Sequence, residues 1–491
     1  PAAGAGEGTR PWVAAGLLLA ALLCARLLFL LAALDPEEDR IVTILEAAGA
    51  KWERGPERPI YDREELYTGA AAEAMRLGLP IPARAYQFMP YGSGSLLISQ
   101  AARGVFALFG PTYLAFKLLP LLVTLLAGGC WYGIARLWLG ARTALIFAAL
   151  FLLAPSVVVR TALIAKGDHA EAMAWNGLAL LLASGACFAP RAARRDILAA
   201  LAGSVAGLGV GITYSTVPVV AGAALAAAAR TRLRPRRAWL AAAAGLAVGL
   251  APWLLRILRE GASTVRLYEQ PVGALLGLGE WGSRIALLAR TGFLAGYDLP
   301  GDWRTIAGLI WLAAVVAGWT GLVRRRERRT FVLLLSAAAA AHLAAFVLAA
   351  PDASARYLLP AYPLLLLAAA ALGGARLPEP PAGPPRIGRP AAWLLLGVGA
   401  AGLLAQVLVV ARSDFVALRA PLRGYDWPLL GEVLGAKLHP EGLRRLPEPT
   451  QPYFWTGRGR RIGRAGPDAW MAEAATAAPH AEAFWEGIGI A

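Results

Sequence analysis

The amino-acid sequence predicts an all-α, polytopic membrane protein that crosses the bilayer with about eleven helices. Of its 491 residues, 58% are hydrophobic and 16% are charged, and the mean hydropathy is +0.54. Soluble domains carry about a quarter charged residues. The apolar excess lies in runs of Leu, Ala, Val and Gly that are long enough to cross ~30 Å of hydrocarbon. Helices satisfy every backbone hydrogen bond within such a run, so they are the expected element.

Apolar runs of this length follow one another along most of the chain. The runs 197–213 and 215–229 are both short and are separated only around Tyr214. The predicted spans are 12–34, 113–135, 143–160, 169–188, 197–213, 215–229, 238–257, 304–323, 331–350, 357–373 and 391–411.

Positive charge between the runs orients them. The formal net charge of +16 could indicate nucleic-acid binding, but the arginines form short clusters between apolar runs. That distribution follows the positive-inside rule, so nucleic acid is not an expected partner and all clusters mark the cytoplasmic side. The four clusters are Arg191, Arg194 and Arg195; Arg230, Arg232, Arg234, Arg236 and Arg237; Arg324, Arg325, Arg326, Arg328 and Arg329; and Arg376, Arg386 and Arg389.

Three longer segments, 35–112, 258–303 and 412–491, then fall on the opposite, outer side. We therefore divide the chain into a transmembrane domain, 1–411, and a C-terminal extramembrane domain, 412–491. A segment of about eighty residues can form a small domain. Its aromatic side chains could stack on sugars if they are exposed, and the favoured interpretation is that they form the core of the domain. The chain ends abruptly at Phe484-Trp-Glu-Gly-Ile-Gly-Ile-Ala491, which leaves open that this domain is incomplete.

The first outer segment, 35–112, contains the first candidate acids. Asp39 follows the first span closely, and Glu64 and Glu65 lie in the sequence Tyr61-Asp-Arg-Glu-Glu-Leu-Tyr67. A carboxylate at a membrane surface can act as a general base toward a hydroxyl or an amine. Asp62 and Glu65 also have the spacing of a helix capping box, which leaves Glu64 as the freer acid.

The same segment predicts two helices that do not span the bilayer. Leu66, Ala70, Ala74 and Leu77 fall on one face of an amphipathic stretch, which is typical of a helix lying in the membrane interface. A second, apolar helix over 95–109 ends before Gly110 and Pro111 and is too short to cross.

A second cluster of ionisable residues lies at the outer boundary between the third and fourth spans. Lys166, Asp168, His169 and Glu171 fall within six positions. Such groups beside a span usually face a cavity or each other. Asp168 and Glu171 can share one helical face and could bind a sugar hydroxyl, a phosphate or a divalent metal ion. They equally fit a helix N-cap and its third residue, and both roles can hold together.

The most specific string is Pro351-Asp-Ala-Ser-Ala-Arg-Tyr-Leu-Leu-Pro-Ala-Tyr-Pro363, at the outer mouth of a span. Arg356 in it can pair with a phosphate through two parallel hydrogen bonds. The structural alternative is that Arg356 extends toward the interface beside Tyr357, an aromatic residue of the membrane–water boundary.

With these motifs the chain resembles the GT-C class of glycosyltransferases that use polyprenyl-phosphate sugars, most closely the branch of protein O-mannosyltransferases and lipid A aminoarabinose transferases (glycosyltransferase family 39-like). The resemblance rests on Glu64-Glu65-Leu-Tyr67 in a long first outer loop, on the helix that ends at Leu108-Phe-Gly110, and on Arg356-Tyr-Leu-Leu-Pro360 with Tyr362-Pro363. It covers most of residues 10–411. The family usually has Asp-Glu where this chain has Glu64-Glu65. Asp39 and Glu38, which lie closer to the first span, are therefore rivals for the base.

The resemblance implies a GT-C-like helical bundle in a bacterial inner membrane, with an active site on its outer face. The implied donor is a sugar on a polyprenyl phosphate, and the acceptor is a lipid, a glycan or a protein. Glu64, Glu65 or Asp39 would act as base with inversion at the anomeric carbon. Arg356, with Tyr357 and Lys166, would bind the leaving phosphate, and Asp168, His169 and Glu171 would contact substrate or a metal ion. No organic cofactor is implied.

Two other functions fit a polytopic chain of this composition. A transporter or flippase for lipid-linked sugars would place charges near the bilayer midplane and show two related halves, whereas the acids here gather at the outer boundary. A non-catalytic scaffold with the same fold is the third reading.

Overall fold

The computed structural model consists of helices throughout the residues that it describes. The longest uninterrupted stretches are 95–165 and 169–231. The described residues are 10–33, 68–69, 72–73, 75–78, 95–165, 169–231, 236–260, 278–291, 303–324, 329–349, 355–374, 455–456, 458–459, 462–463, 466–474, 476–477 and 480–490.

The elements are named here in chain order. They are α1 (Arg10–Ala33), α2 (Ser95–Phe109), α3 (Tyr113–Leu139), α4 (Ala141–Leu152), α5 (Ser156–Thr161), α6 (His169–Phe188), α7 (Ala192–Ile212), α8 (Thr216–Thr231), α9 (Arg236–Glu260), α10 (Leu278–Thr291), α11 (Trp303–Val323), α12 (Arg329–Ala349), a 3-10 helix (Ala355–Ala361), α13 (Tyr362–Gly374), α14 (Pro467–Ala474) and α15 (Ala481–Ile490).

The chain is a multi-pass membrane protein. Six described helices are long and apolar enough to cross a bilayer, and four more are apolar but shorter. The predicted spans 12–34, 113–135, 169–188, 238–257, 304–323 and 331–350 all coincide with single helices. The predicted span 391–411 lies outside the described residues. The all-α membrane fold is therefore confirmed, while the total number of helices stays a prediction.

The bundle is built around α13. Its residues from Tyr362 to Ala371 are all buried, and those after Pro363 are all Leu or Ala. It packs against α3, α4, α11 and α12, and α1 packs on α3 and α4 from outside. A helix that is apolar on every side is suited to this position, because every face meets protein.

Two predicted spans have a different local structure. The run 143–160 is interrupted between α4 and α5, where Pro155 lacks an N–H and disfavours helical geometry at Ala154. The run 357–373 begins as a 3-10 helix and becomes α-helical only at Tyr362. Pro360 and Pro363 remove backbone donors there, so an α-helical ladder cannot run unbroken through this segment.

The short runs 197–213 and 215–229 form two helices, α7 and α8, as predicted. The turn between them is closed by hydrogen bonds from the amide of Thr216 to the carbonyl of Thr213, 3.1 Å, and from the amide of Val217 to the carbonyl of Tyr214, 3.0 Å. The Thr213 hydroxyl also accepts from the amide of Ser215 at 3.3 Å. A side chain in the turn thus takes over a bond that a continuous helix would make.

Close packing in the bundle depends on small residues, and α7 against α9 is the clearest case. Gly203 and Gly207 on α7 face Gly245 and Gly249 on α9, so each helix carries a G-x-x-x-G pair. A Cβ atom at Gly203 would lie 2.0 Å from the Ala242 carbonyl oxygen. Backbones that approach this closely gain van der Waals contact, which drives helix association in lipid.

The first outer segment differs in part from prediction. Helix α2 begins and ends where predicted, at Ser95 and Phe109. In the preceding stretch the buried side chains include Thr68, Ala72 and Glu73, while Leu77 is only partly buried. Leu66, Ala70 and Ala74 of the predicted apolar face lie outside the residues whose structure is described.

Burial of the charged Glu73 in this stretch has a local explanation. Its carboxylate accepts two hydrogen bonds from Arg76, at 2.6 and 2.7 Å. A two-pronged ion pair offsets much of the cost of removing a carboxylate from water. This bond also raises the pKa of Arg76.

In the C-terminal segment the described residues include a small aromatic cluster. Trp455 and Phe484 are buried, and their rings lie edge to face with centroids 6.2 Å apart. Trp485 is 41% exposed. The indole N–H of Trp470 donates to the carbonyl of Ile462 at 3.0 Å. These contacts agree with an aromatic core, whereas the division of the chain at residue 411 lies outside the described residues and stays a prediction.

Candidate functional site

The bundle has two chemically different ends. At one, the aromatic rings of Trp138, Phe188 and Phe331 meet, with Trp138 4.8 Å from Phe188 and 5.2 Å from Phe331. Phe188 lies three residues before Arg191 of the first arginine cluster, and Phe331 lies two residues after Arg329 of the third. We call this the arginine end. The opposite end, where α6 begins, α12 ends and the 3-10 helix lies, is called the site end.

Arg356 and Tyr357 lie at the site end on the 3-10 helix, which packs against α5, α6, α8, α12 and α13. The guanidinium carbon of Arg356 is 5.1 Å from the centroid of the Tyr357 ring. One terminal nitrogen of Arg356 donates to the Tyr357 hydroxyl at 3.3 Å. Both side chains are half-buried. The aromatic face therefore restrains the guanidinium while leaving part of it accessible.

Glu171 lies in the first turn of α6 and is 2% exposed. Helix α6 packs against the 3-10 helix, so the elements that carry Glu171 and Arg356 meet at the site end. The positive end of the α6 dipole favours a carboxylate at this position. Because α6 begins at His169, Glu171 has the position that a capping-box acid requires, and Asp168 directly precedes the helix.

The other candidates from the sequence cannot be placed. Asp39, Glu64, Glu65, Lys166 and Asp168 lie outside the described residues, and so does the side chain of His169. Their roles as base, phosphate ligand or metal ligand stay predictions. In the part of the chain that the structure describes, no group of three His, Cys, Asp or Glu side chains could hold one metal ion.

One face of α3 binds the turn after α5 and the helix α6 that follows it. Lys117, Thr124, Trp131 and Trp138 recur every seven residues, and each donates a hydrogen bond toward α6 or the turn before it. Lys117 Nζ donates to the carbonyl of Leu163 at 3.3 Å, and the Thr124 hydroxyl donates to that of Ala162 at 3.2 Å.

Further down the same face, the indole of Trp131 donates to the carbonyl of Met173 at 2.8 Å, and that of Trp138 to the hydroxyl of Ser184 at 2.8 Å. Residues seven apart lie on one stripe of a helix. The bonds of Lys117, Thr124 and Trp131 therefore hold the start of α6, and with it the position of Glu171, whereas the Trp138 bond lies near the other end of this helix.

Three basic side chains of the described residues are buried toward the site end. Arg26, Lys117 and Arg284 are at most 3% exposed, and each donates to a main-chain carbonyl: Leu152, Leu163 and Val347. Ionisable groups are expensive within a bilayer and usually mark a functional region. Together with Arg356 they place four cationic side chains among the described residues of this end, where the carboxylate of Glu171 is also buried.

No role was assigned from the sequence to His342, Lys117 or Arg26. His342 is 4% exposed on α12, and its Nε2 lies 2.7 Å from the carbonyl oxygen of Tyr357. The available signal was a single ionisable residue in the run Ala337-Ala-Ala-Ala-Ala-His-Leu-Ala-Ala-Phe346. Its partner could not be read from the sequence, because fifteen positions and a chain reversal separate the two residues.

Comparisons with known proteins give a likeness of fold. No protein-family model and no curated protein matches the chain. Among solved structures it is similar to ArnT from Cupriavidus metallidurans bound to undecaprenyl phosphate, with 17% identity and a TM-score of 0.48 over 92% of this chain and 74% of that one. It is also similar to the Archaeoglobus fulgidus oligosaccharyltransferase in the apo form, with 16% identity and a TM-score of 0.47 over 88% of this chain and 60% of that one. Both of these neighbours are glycosyltransferases of the GT-C class.

Proposed function

We propose that this protein is a membrane glycosyltransferase that moves a sugar from a polyprenyl-phosphate donor to a lipid, glycan or protein acceptor. The observation that carries the proposal is the packing of the 3-10 helix, which carries Arg356 and Tyr357, against α6, whose first turn carries Glu171. This places an accessible cation beside an element that carries a buried acid, at a membrane boundary. The motif resemblance around Arg356 adds support for the reaction class.

The donor suits the chemistry of this end. A polyprenyl tail can remain in the bilayer while its phosphate reaches the boundary, where Arg356 can bind it with two parallel hydrogen bonds. Lys166, which follows the turn held by Lys117, is the second proposed phosphate ligand. Buried Arg26, Lys117 and Arg284 raise the potential of the region without needing to touch the phosphate.

The proposed reaction is one in-line displacement. A carboxylate of Glu64, Glu65 or Asp39 takes the proton from an acceptor hydroxyl, and the acceptor oxygen attacks the anomeric carbon. The bond between that carbon and the phosphate oxygen breaks, and its electron pair leaves with the phosphate. Arg356 stabilises the negative charge that develops there, and configuration at the anomeric carbon inverts.

The positive-inside rule supports an outer, periplasmic orientation of the site end in a bacterial inner membrane, because the described arginines of the first three clusters, among them Arg191, Arg230 and Arg329, lie at the other end. A divalent ion bound by Asp168, His169 and Glu171 is a further proposal, and their oxygen and nitrogen donors are of the type that such ions use.

The test is transfer by membranes that contain the full chain, with radiolabelled polyprenyl-phosphate sugars. Arg356→Ala should abolish transfer while the protein remains inserted and folded, and Arg356→Lys should retain a reduced rate because it keeps the charge without the fork geometry. The matched control is Ser184→Ala, which removes a buried hydrogen bond at the arginine end.

Normal turnover by Arg356→Ala would contradict the phosphate role. If the wild-type chain moves the labelled lipid across the bilayer without transferring sugar, it is a transporter or flippase. If it does neither, the scaffold reading is correct.

A further inference from the structure

The carbonyl of Tyr357 faces a gap in the backbone hydrogen bonding of the 3-10 helix. In a 3-10 helix each carbonyl accepts from the amide three residues later. For Tyr357 that residue is Pro360, which has no N–H. A buried carbonyl that lacks its donor costs free energy, and in lipid no water replaces the missing bond.

His342 occupies this gap. Its Nε2 is 2.7 Å from the Tyr357 carbonyl oxygen, and the side chain is 4% exposed in the middle of an otherwise apolar stretch of α12. A carbonyl oxygen only accepts, so Nε2 must carry the proton in this contact. An imidazole thus replaces the amide donor that Pro360 removes.

We infer that His342 is a positioning residue that holds the Arg356-Tyr357 turn against α12 and thereby sets the direction of the Arg356 guanidinium. The inference rests on the proposed function, since it assigns Arg356 to the donor phosphate. The link is short: the carbonyl bound by His342 belongs to Tyr357, whose ring supports Arg356 at 5.1 Å and whose hydroxyl accepts from it at 3.3 Å.

The residues on either side of this bond explain why its position matters. Leu358, Leu359 and Pro360 form one turn of the 3-10 helix and are all buried, so apolar contacts surround that turn. Such contacts are non-directional, so they permit small changes in the orientation of the preceding residues, Arg356 and Tyr357. The bond to His342 is a directional constraint, which packing alone does not supply.

Three substitutions separate hydrogen bonding from volume. His342→Gln places an amide nitrogen at the same number of bonds from Cα as Nε2 and can still donate to Tyr357. His342→Asn is one bond shorter and reproduces only the Nδ1 position. His342→Leu has no donor. We expect His342→Gln to behave like wild type, and the other two to lose about tenfold to a hundredfold in kcat/KM for the donor, as misplaced binding groups do.

A double-mutant cycle shows whether His342 acts through Arg356. The measurement is the Kd of the full chain in nanodiscs for undecaprenyl phosphate. His342→Leu and Arg356→Ala should each weaken binding, and the double variant should bind no more weakly than Arg356→Ala alone. Additive losses would show that His342 has only a general structural role and would overturn the inference, as would equal rescue by Gln and Asn.

Amide hydrogen exchange of the peptide that contains 355–361 gives a readout without any substrate. Exchange should be faster in His342→Leu than in wild type and unchanged in His342→Gln and in the control Ser184→Ala. If wild type does not bind undecaprenyl phosphate, the proposed function fails while the exchange data still decide whether His342 holds the turn. If binding is normal and exchange is the same in His342→Leu, the inference fails and the proposed function stands.

Discussion

Lys117 on α3 is fully buried, and its Nζ donates to the main-chain carbonyl of Leu163 at 3.3 Å. Leu163 ends the turn after α5, three residues before Lys166. An ammonium group inside a membrane bundle is kept only where it has partners. The bond therefore connects a spanning helix to the short segment that precedes α6 and the candidate residues of its first turn.

Loss of this bond should reduce transfer more than stability. Lys117→Met keeps an unbranched side chain of nearly the same length and removes its donors and charge. A single interhelical hydrogen bond in a membrane protein contributes only about 0.6 kcal/mol, so thermal unfolding in detergent should change little. Transfer should fall about tenfold or more, since the segment that leads to Lys166 and Asp168 loses its fixed position.

Trp138→Phe is the control for this prediction, because it removes the last donor of the same stripe at the arginine end. It should leave transfer near the wild-type rate. Equal losses in Lys117→Met and Trp138→Phe would mean that the stripe acts only by stabilising the bundle.

Glu171 can be tested for charge separately from helix capping. Glutamine serves as well as glutamate at the third position of a capping box, so Glu171→Gln should keep α6 intact while removing the carboxylate charge. We expect transfer to fall about tenfold or more in Glu171→Gln if the charge contacts substrate or a metal ion, with unchanged thermal unfolding. Transfer that is lost in Glu171→Ala but normal in Glu171→Gln would leave capping as its role.

The base can be identified by comparing three isosteric variants. Glu64→Gln should lose far more rate than Glu65→Gln, because Glu65 has the capping-box spacing with Asp62 and Glu64 does not. The measurement is single-turnover transfer at saturating donor. Equal, mild losses in both variants would mean that Glu64 and Glu65 have structural roles and that Asp39 is the base. Asp39→Asn is then the decisive variant.

The contact between α7 and α9 should tolerate no side chain at its glycines. A Cβ atom at Gly203 would lie 2.0 Å from a backbone oxygen, whereas Gly321 on α11 has open space around it. Gly203→Leu should destabilise the protein by at least about 1–3 kcal/mol, the usual cost of overpacking. Thermal unfolding and yield in detergent measure this, and Gly321→Leu should be near neutral. Similar unfolding temperatures for the two variants would contradict this packing.

Much of the membrane fold could be predicted from composition and run length. The predicted span 169–188 has the same first and last residues as α6. The length of an apolar run and the polar residues beside it decide where a helix can lie in a bilayer. The break before α5 and the 3-10 start of the last described span were missed, although Pro155 and Pro360 mark them. The average hydropathy of a sequence window does not show that a proline lacks the backbone N–H that a regular helix needs.

The candidate site was likewise predicted only in part from the sequence. Arg356 and Glu171 were recognisable as charges at span boundaries, and the structure places their elements in contact. The burial of Glu73 was not predicted. A spacing of three residues allows an ion pair with Arg76 on a helix, but whether the pair forms depends on the side-chain conformations.

The sequence by itself determined that the chain is a membrane protein. It also determined which ends of the helices carry arginine clusters, and which residues near the opposite ends are chemically able to bind or react. These follow from local properties, namely hydrophobicity and charge along the chain. Only the tertiary structure decided that Lys117 binds the carbonyl of Leu163 and that His342 replaces the donor missing at Pro360. Such bonds join residues from different helices, and their existence depends on how those helices are rotated and packed, which no local pattern specifies.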